Sequence, residues 1–489
     1  MPPATTVLEP AAPSALDIRA DGADRGAHES PGLRRPGRFT FALSAAVLAF
    51  SLMQTLVVPA LPTIGQELGA SSLGTGWIIT AFLLAGAVFS PVVGKLGDRF
   101  GHRRVLLATM LVFAASTLAA AAAPNLGVLL ATRVVQGVGT ATFPLALALA
   151  RSTLKGPRLA AAFGWIPGMI GLGAGLALVV GGVVVDVLSW RWMFLLGGAL
   201  ILASAAMVVA WVPRGTAAVA CGPIDWPGIG LLAGGLVGVL LAVSQGAAWG
   251  WTSPLTIGVA AAGILLLIAL VLVELRSVAP VVDVRTFRHG PIALLSLLTV
   301  VVGFVPYVFY IALPLLMQAP ASTGYGWGIS VTASALAMLP SAVMVFLGGR
   351  LTPVLVARFG GASTAVLAAA VMGVAAVVLA IWPTLPVVVI VGFALFGTGN
   401  GIGYAICAQL VVTWSPANET GAATGLNSVV RTIGSAAAAP VVTAVLAAGA
   451  MSAADPALAF SFAFWIAAGA SAVGVMVALV LLSMARRAR

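Results

Sequence analysis

Gly94-Lys-Leu-Gly-Asp-Arg-Phe-Gly-His-Arg-Arg104 stands between two long apolar stretches, and a related segment returns as Gly349-Arg-Leu-Thr-Pro-Val-Leu-Val-Ala-Arg-Phe-Gly360. Each segment starts with Gly-x-Leu, carries Arg-Phe-Gly further on, and is basic. We interpret both as tight loops between helices, because glycines let two helices turn and approach closely. Two equivalent loops in one chain predict a bundle built from two repeated halves.

The composition excludes a soluble chain. Of the 489 residues, 61% are hydrophobic and 8% are charged, with a mean hydropathy of +1.12. Apolar stretches of about 20 residues, the length that crosses a bilayer as a helix, recur almost from end to end. Because backbone polar groups in lipid must be satisfied within each segment, we predict an all-α integral membrane fold. Fourteen spans are predicted, at roughly 39–62, 74–94, 105–123, 128–150, 160–184, 192–212, 227–245, 255–274, 291–316, 329–349, 362–382, 387–412, 422–447 and 458–484.

The positions of the 24 basic residues test this count. If the spans alternate from an N-terminus in the cytoplasm, every Lys and Arg except Arg133, Arg191 and Arg431 falls in a cytoplasmic segment. The positive-inside rule therefore favours fourteen spans in the inner membrane, with both termini in the cytoplasm. The net charge of +11 is then a signal of topology, so a nucleic acid partner is not expected.

The loops and spans together predict five regions of the chain. Residues 1–38 are predicted to form a disordered cytoplasmic tail and 486–489 a basic cytoplasmic C-terminus. Residues 39–212 and 291–485 are predicted to form two six-helix bundles, and 213–290 an inserted helix pair with its flanking loops.

Several segments resemble the major facilitator superfamily. The Gly94–Arg104 segment resembles the signature loop of that family between its second and third spans, and Arg133-Val-Val-Gln136-Gly137-Val-Gly139 resembles its second signature. The resemblance covers about residues 40–485 and is to the fourteen-span drug:proton antiporter branch, of multidrug efflux type. Further positions that resemble this branch are Asp225-Trp-Pro-Gly228, Glu274 in the predicted loop after span eight, Gln318, and Gly425-Leu-Asn427.

The resemblance implies a conformational latch in the first loop. Asp98 can pair with Arg99, with Arg103 or with the end of a neighbouring helix, giving a contact that differs between two conformations. The residues of this predicted latch are Gly94, Gly97, Asp98, Arg99, Gly101, Arg103 and Arg104.

The fifth span resembles the antiporter signature of drug-exporting members, and Trp190-Arg191-Trp192 follows it. Ala177-Leu178 departs from the Gly-Pro of that signature, so general helix packing stays an alternative reading. The glycines concerned are Gly164, Gly168, Gly171, Gly173, Gly175, Gly181 and Gly182.

Two arginines are predicted inside the membrane. An arginine there costs roughly 2.5–3.5 kcal/mol on insertion scales, so it is expected to face a cavity or a partner. Gln136 shares a helix face with Arg133, as Asn427 does with Arg431. Alternatively, Arg133 extends to the outer interface. Further candidates for a cavity lining, for which packing or lipid contact is an equal alternative, are Gln54, Tyr307, Tyr310, Asn400 and Tyr404.

No carboxylate is predicted at mid-membrane. All thirteen Asp and Glu residues fall in the tail, in loops or at span ends, and Met53 occupies the first-span position where the branch commonly has Asp. A proton relay needs a titrating group, usually Asp, Glu or His. Proton antiport is therefore implied by the resemblance alone and would have to use Asp98, Asp186 or Glu67. The arginines favour a neutral, amphipathic or anionic cargo over a cationic one.

The resemblance implies a secondary transporter that exports drugs, antibiotics or amphipathic metabolites by alternating access. It would use the proton gradient and no cofactor or metal, and would act as a monomer in the lipid bilayer on a small-molecule substrate. A facilitator or importer of a small neutral or anionic solute is the alternative. A membrane enzyme or a channel is disfavoured, because the predicted spans hold no catalytic constellation and the repeated loops favour alternating access.

Overall fold

The computed structural model describes residues 35–70, 72–214, 225–277, 290–415, 420–451 and 457–487. The predicted tail up to residue 34 lies outside this part of the chain, as do residues 488–489 of the predicted C-terminus. The first helix begins at Pro36, inside the region predicted as tail, since proline is well placed in the first turn of a helix.

The described residues form sixteen α-helices. In the first half they are α1 (Pro36–Thr55), α2 (Leu61–Glu67), α3 (Ser72–Phe100), α4 (His102–Ala121), α5 (Leu126–Gln136), α6 (Thr142–Thr153), α7 (Gly156–Val187) and α8 (Arg191–Trp211). They continue as α9 (Trp226–Trp249), α10 (Pro254–Glu274), α11 (Gly290–Gln318), α12 (Val331–Phe359), α13 (Gly361–Ile381), α14 (Pro386–Trp414), α15 (Thr420–Met451) and α16 (Ala457–Arg487).

These helices give the predicted membrane spans. Thirteen stretches in the described residues are long and apolar enough to cross a membrane, judged by length and composition. The remaining predicted span corresponds to α15, which is 32 residues long. Helix starts carry side-chain caps: Asn125, Asp225, Ser253 and Ser330 each accept a hydrogen bond from a backbone N–H in the first turn that follows.

The two basic segments are helical, which corrects their reading as loops. α3 continues to Phe100, the turn is made at Gly101 with φ of +92°, and α4 follows at once. In the second segment α12 continues to Phe359, and Gly360 has φ of +83° before α13. Positive φ is readily adopted by glycine because it has no Cβ. A single glycine therefore turns the chain in both copies.

The fourth predicted span is interrupted. α5 ends at Gln136, Gly137–Ala141 forms a 3-10 helix, and α6 continues the span. A Cβ on Gly137 would lie 2.8 Å from the backbone nitrogen of Gly86 in α3. The tighter winding therefore lies where the backbones of two helices approach closely.

Two hydrogen bonds join the end of one helix to the start of another, as in an antiparallel pair. Arg103, at the start of α4, donates through Nε to the carbonyl of Val212 after α8, 2.8 Å away. Gln318, at the end of α11, donates to Ser334 near the start of α12. We call the end of the bundle that carries the Gly94–Arg104 and Gly349–Gly360 segments the basic end, and the other the opposite end.

The buried residues form separate clusters. The largest cluster contains residues of every helix from α1 through α8, together with Ala408 and Val412 of α14. A second cluster contains residues of α11, α13, α14 and α16 around Phe309. α9 and α10 pack together, and Leu232 and Leu236 of α9 contact Val429 of α15. The division into two six-helix bundles and an inserted pair stays a prediction. Glu274 ends α10 and is 1% exposed, which corrects its placement in a loop.

Candidate functional site

Arg133 is fully enclosed among α3, α4 and α5. Its Nε donates to the carbonyl of Ile78 (3.0 Å) and its Nη1 to Oε1 of Gln136 (2.8 Å). The guanidinium carbon lies 4.4 Å from the ring centroid of Phe82. Gln136 in turn donates to the carbonyl of Ser116. Arg133 is 0% exposed, so it does not extend to the end of the helix, and in this conformation it ties three helices together.

One nitrogen of Arg133 remains unused. Nη2 is buried and has no hydrogen-bond partner among the described residues. A buried charged donor without a partner is costly, on the order of 1–3 kcal/mol or more. The arrangement therefore leaves a donor for a water molecule or another acceptor inside the first-half helices.

Arg431 lies in a different environment, where the two halves of the chain meet. Its guanidinium carbon is 4.9 Å from the ring centroid of Tyr404 in α14 and 5.4 Å from that of Phe143 in α6. The contacts of Arg133 and those of Arg431 share no residue in the described chain. Arg133 and Arg431 are therefore held by different residues, and their place in one cavity stays a prediction.

The other candidates of the second half gather around α11 and α14. Tyr307 and Tyr310 are in edge-to-face contact, with ring centroids 6.0 Å apart, and Tyr307 interacts electrostatically with Arg431. Asn427 does not face Arg431's partners but accepts a hydrogen bond from Thr299 of α11 at 2.9 Å. Gln54, on α1, is half-buried and belongs to neither cluster.

Asn400 is the most unusual of the polar candidates. It is 0% exposed, and neither its Oδ1 nor its Nδ2 has a hydrogen-bond partner in the described part of the chain. It lies one helical turn before Tyr404, so the two share a face of α14. A buried amide in this condition needs a water molecule or another polar group.

In the predicted latch, Asp98 pairs with His102, which was not among the predicted latch residues. His102 Nε2 lies 2.8 Å from Oδ1 of Asp98, and the Asp98 side chain is 1% exposed. Arg103 instead holds the end of α8, donating to the carbonyls of Val212 and Val209. Arg99 lies over the ring of Phe100. The pairing of Asp98 with Arg103 is therefore not what this conformation shows.

Two further members of the predicted latch are glycines that allow close packing. Gly97 is buried, and a Cβ there would collide with Leu145 of α6 and come within 3.2 Å of the His102 ring. Gly94 is buried on the same face, whereas Arg104 is exposed. Gly97, the residue before Asp98, is thus packed against α6.

The glycines of α7 form two stripes. One approaches α12: a Cβ on Gly164 would meet the carbonyl oxygen of Gly349 at 2.9 Å, and one on Gly182 would meet Thr332 Oγ1 at 3.0 Å. The other approaches α1, where Gly173 lies against Ser51. The stripe along α12 comprises Gly164, Gly168, Gly171, Gly175 and Gly182, and the stripe along α1 comprises Gly173 and Gly181.

Helices of the two halves contact each other toward the basic end. Arg151 of α6 donates to the carbonyl of Ser415 after α14 at 2.9 Å. Arg350 of α12 lies 4.6 Å from the ring centroid of Trp165 in α7. A Cβ on Gly425 of α15 would lie 2.8 Å from the Pro91 Cα of α3. The described helices of the two halves therefore contact each other at three places toward the basic end.

Glu67 is held in its ionised form at the opposite end. It accepts hydrogen bonds from Trp190 Nε1 and from Arg191 Nη1, and Arg191 lies 4.4 Å from the centroid of the Trp190 ring. These hydrogen bonds lower the pKa of Glu67, that from Trp190 most and that from Arg191 next. Glu67 is therefore a poor proton carrier near neutral pH. The side chain of Asp186 lies outside what the structure describes.

The lowered pKa predicts a pH-dependent contribution to stability. It is present above the ordinary glutamate value of 4.5 and is lost as the pH falls through the lower pKa of the folded protein. Because the pair is largely exposed, its size is expected to be small, about 0–1 kcal/mol. Melting temperatures of the parent and Glu67→Gln should differ at pH 6 and converge toward pH 3. A difference that does not change with pH would contradict this assignment.

Comparisons with known proteins agree with these features. The family model described as Major Facilitator Superfamily matches residues 43–220. The tetracenomycin C resistance and export protein of Streptomyces glaucescens is 30% identical over 332 residues, 67% of this chain and 60% of that protein. The puromycin resistance protein pur8 of Streptomyces alboniger is 32% identical over 333 residues, 66% of each chain. The chain spans 58% to 66% of the length of such curated relatives.

A solved structure shares the fold. The proton:xylose symporter XylE aligns with a TM-score of 0.64 at 14% identity, over 92% of this chain and 95% of that one. Together with the helical bundle and the two single-glycine turns, these matches define a multi-pass membrane protein of the transporter class. The chain belongs to the major facilitator superfamily, a family of transporters and not of enzymes.

Proposed function

We propose that this protein exports drugs, antibiotics or amphipathic metabolites by alternating access between its two halves. The observation that carries this proposal is the interface at the basic end, which is made of a few polar contacts and close helix crossings. Such contacts can break and re-form, which is how rocking of two bundles exposes a central site to either side.

The orientation follows from charge. The basic end carries the arginines of both repeated segments, and the positive-inside rule supports a cytoplasmic location for this end and for both termini. The described conformation is then closed toward the cytoplasm. Export from the cytoplasm is supported by the two Streptomyces relatives, which are named as a tetracenomycin C resistance and export protein and a puromycin resistance protein.

Proton antiport is the proposed energy source. The carboxylates whose side chains the structure describes lie toward the helix ends; they are Glu67, Asp98, Asp225 and Glu274. Of the candidates from the sequence, Asp98 is retained, because its side chain is buried and contacts the ring of His102. No metal cluster of three or more His, Cys, Asp or Glu occurs in the described ranges.

A vesicle assay tests this proposal. The parent protein in proteoliposomes should move puromycin against its gradient when a pH difference is imposed, and the transport should stop when an ionophore collapses that difference. Movement that only equalises concentrations, with no effect of pH, would instead identify a facilitator. An exporter moves its substrate away from the basic end, and an importer moves it toward that end. Vesicles with the basic end facing out should therefore accumulate the compound if the protein is an exporter.

A further inference from the structure

The site around Arg431 has a charge that nothing in the described protein neutralises. The Arg431 side chain makes no hydrogen bond and no ion pair with the described residues; its contacts are the rings of Phe143 and Tyr404. Cation–π contacts supply about 0.5–2 kcal/mol each and use none of the guanidinium N–H donors, whereas a membrane arginine costs roughly 2.5–3.5 kcal/mol on insertion scales. The guanidinium donors therefore remain available to an acceptor.

The rings of Phe143 and Tyr404 contact this cation, and two further tyrosines lie beside them. Three of the four tyrosines of the sequence, Tyr307, Tyr310 and Tyr404, gather here from α11 and α14. All three are half-buried, and their hydroxyls make no hydrogen bond to the described residues. Phe143 completes the group from the other half of the chain. Flat rings set around a cation present both stacking surfaces and hydrogen-bond donors.

Asn400, a polar residue of the same helix α14, is also without a partner among the described residues. Asn400, one turn from Tyr404 on the same face, is 0% exposed with both amide atoms unpartnered. An amide can donate to an oxygen acceptor or accept from a hydroxyl. None of the carboxylates whose side chains are described contacts Arg431, so the site offers no negative charge to a cationic cargo.

We propose that this site binds a planar aromatic anion, whose acidic group pairs with Arg431 while its rings contact Tyr307, Tyr310 and Tyr404. The proposal rests on the proposed export function and specifies the class of cargo. Since Phe143 and Tyr404 belong to opposite halves, an anion drawn to Arg431 competes with the Phe143 contact. Cargo binding is thereby coupled to the separation of the halves.

Three probes of one shape test the charge preference. They are 9-anthracenecarboxylate (anion), 9-anthracenecarboxamide (neutral) and 9-(aminomethyl)anthracene (cation), titrated by fluorescence against the full chain in nanodiscs at pH 7.5. The anion is expected to bind about tenfold more tightly than the amide, as one charge-assisted hydrogen bond provides, and more tightly still than the cation. Equal affinities, or a preference for the cation, would overturn the proposal.

Variants locate the preference. Arg431→Gln should bring the affinity for the anion down to that for the amide, whereas Arg431→Lys should keep most of the preference. Arg486→Gln, an exposed arginine at the end of α16, is the matched control and should change neither affinity. An anion preference that survives in Arg431→Gln would place the site elsewhere. If Arg431→Gln does not fold, the anion preference is compared between the parent and Arg431→Lys. Its absence in the parent would overturn the proposal.

The same probes separate this proposal from the export function. Transport of puromycin in the vesicle assay without any anion preference in binding would sustain export and sink the aromatic-anion site. A clear anion preference, reduced in Arg431→Gln, with no transport of any probe would sustain the site and contradict the transport function.

Discussion

Replacing Gly349 with valine is expected to lower transport by about tenfold or more, with the protein still inserted and folded. Gly349 lies where α7 and α12 are closest at the basic end: a Cβ there would be 2.9 Å from the carbonyl oxygen of Gly164 and 3.2 Å from Gly168 Cα. Both neighbours are backbone atoms that cannot rotate away. The two helices must separate, so the closed state of the basic end is disfavoured.

Gly469→Val is the matched control. Gly469 is also inside a membrane helix, but nothing lies within 4 Å of where its Cβ would be. The measurement is the initial rate in proteoliposomes, normalised to protein that elutes as a folded peak. Transport by Gly349→Val at the rate of Gly469→Val would show that the tight α7–α12 crossing is not required in the cycle.

Arg133→Gln is expected to reduce both stability and transport. The change removes the Nε donor to Ile78 and the fork that reaches Gln136, so two buried acceptors lose their partner. Each is expected to cost about 1–3 kcal/mol, offset in part by relief of the buried charge. We expect a melting temperature several degrees lower and transport reduced about tenfold or more, because α3 and α5 lose the contact that joins them.

Arg158→Gln provides the comparison, since Arg158 is exposed in the first turn of α7. It should leave the melting temperature and the transport rate unchanged. If Arg133→Gln matches it in both measurements, the Arg133 network is dispensable and the second signature has no structural role in this chain.

The sequence was sufficient for the architecture because its signals are long. Apolar stretches, the one-sided distribution of basic residues and the repeated segments each extend over many residues, and small errors do not change their reading. The turns were misjudged for the opposite reason. Hydropathy cannot distinguish a basic loop from a basic helical turn, so the continuation of α3 through Asp98 to Phe100 was missed.

The site was predicted as a set of residues rather than as a geometry. Helical spacing correctly grouped Arg133 with Gln136, because residues three apart share a face. The same rule suggested one polar spot for Asn427 and Arg431, yet Asn427 pairs with Thr299 while Arg431 lies between Tyr404 and Phe143. Contacts between distant helices carry no local signal. His102, next to the quoted motif, could have been found from its spacing of four residues from Asp98.

Alternating access requires the two halves to separate and to come together again at the basic end. Ser152→Cys and Thr413→Cys, both exposed beside the Arg151–Ser415 contact, place two spin labels across this junction once Cys221 and Cys407 are replaced by serine. Electron–electron resonance should show a short distance for the closed state and a second, longer distance whose population rises in Gly349→Val. A single distance, the same in parent and variant and unaffected by puromycin or pH, would contradict alternating access by these two halves.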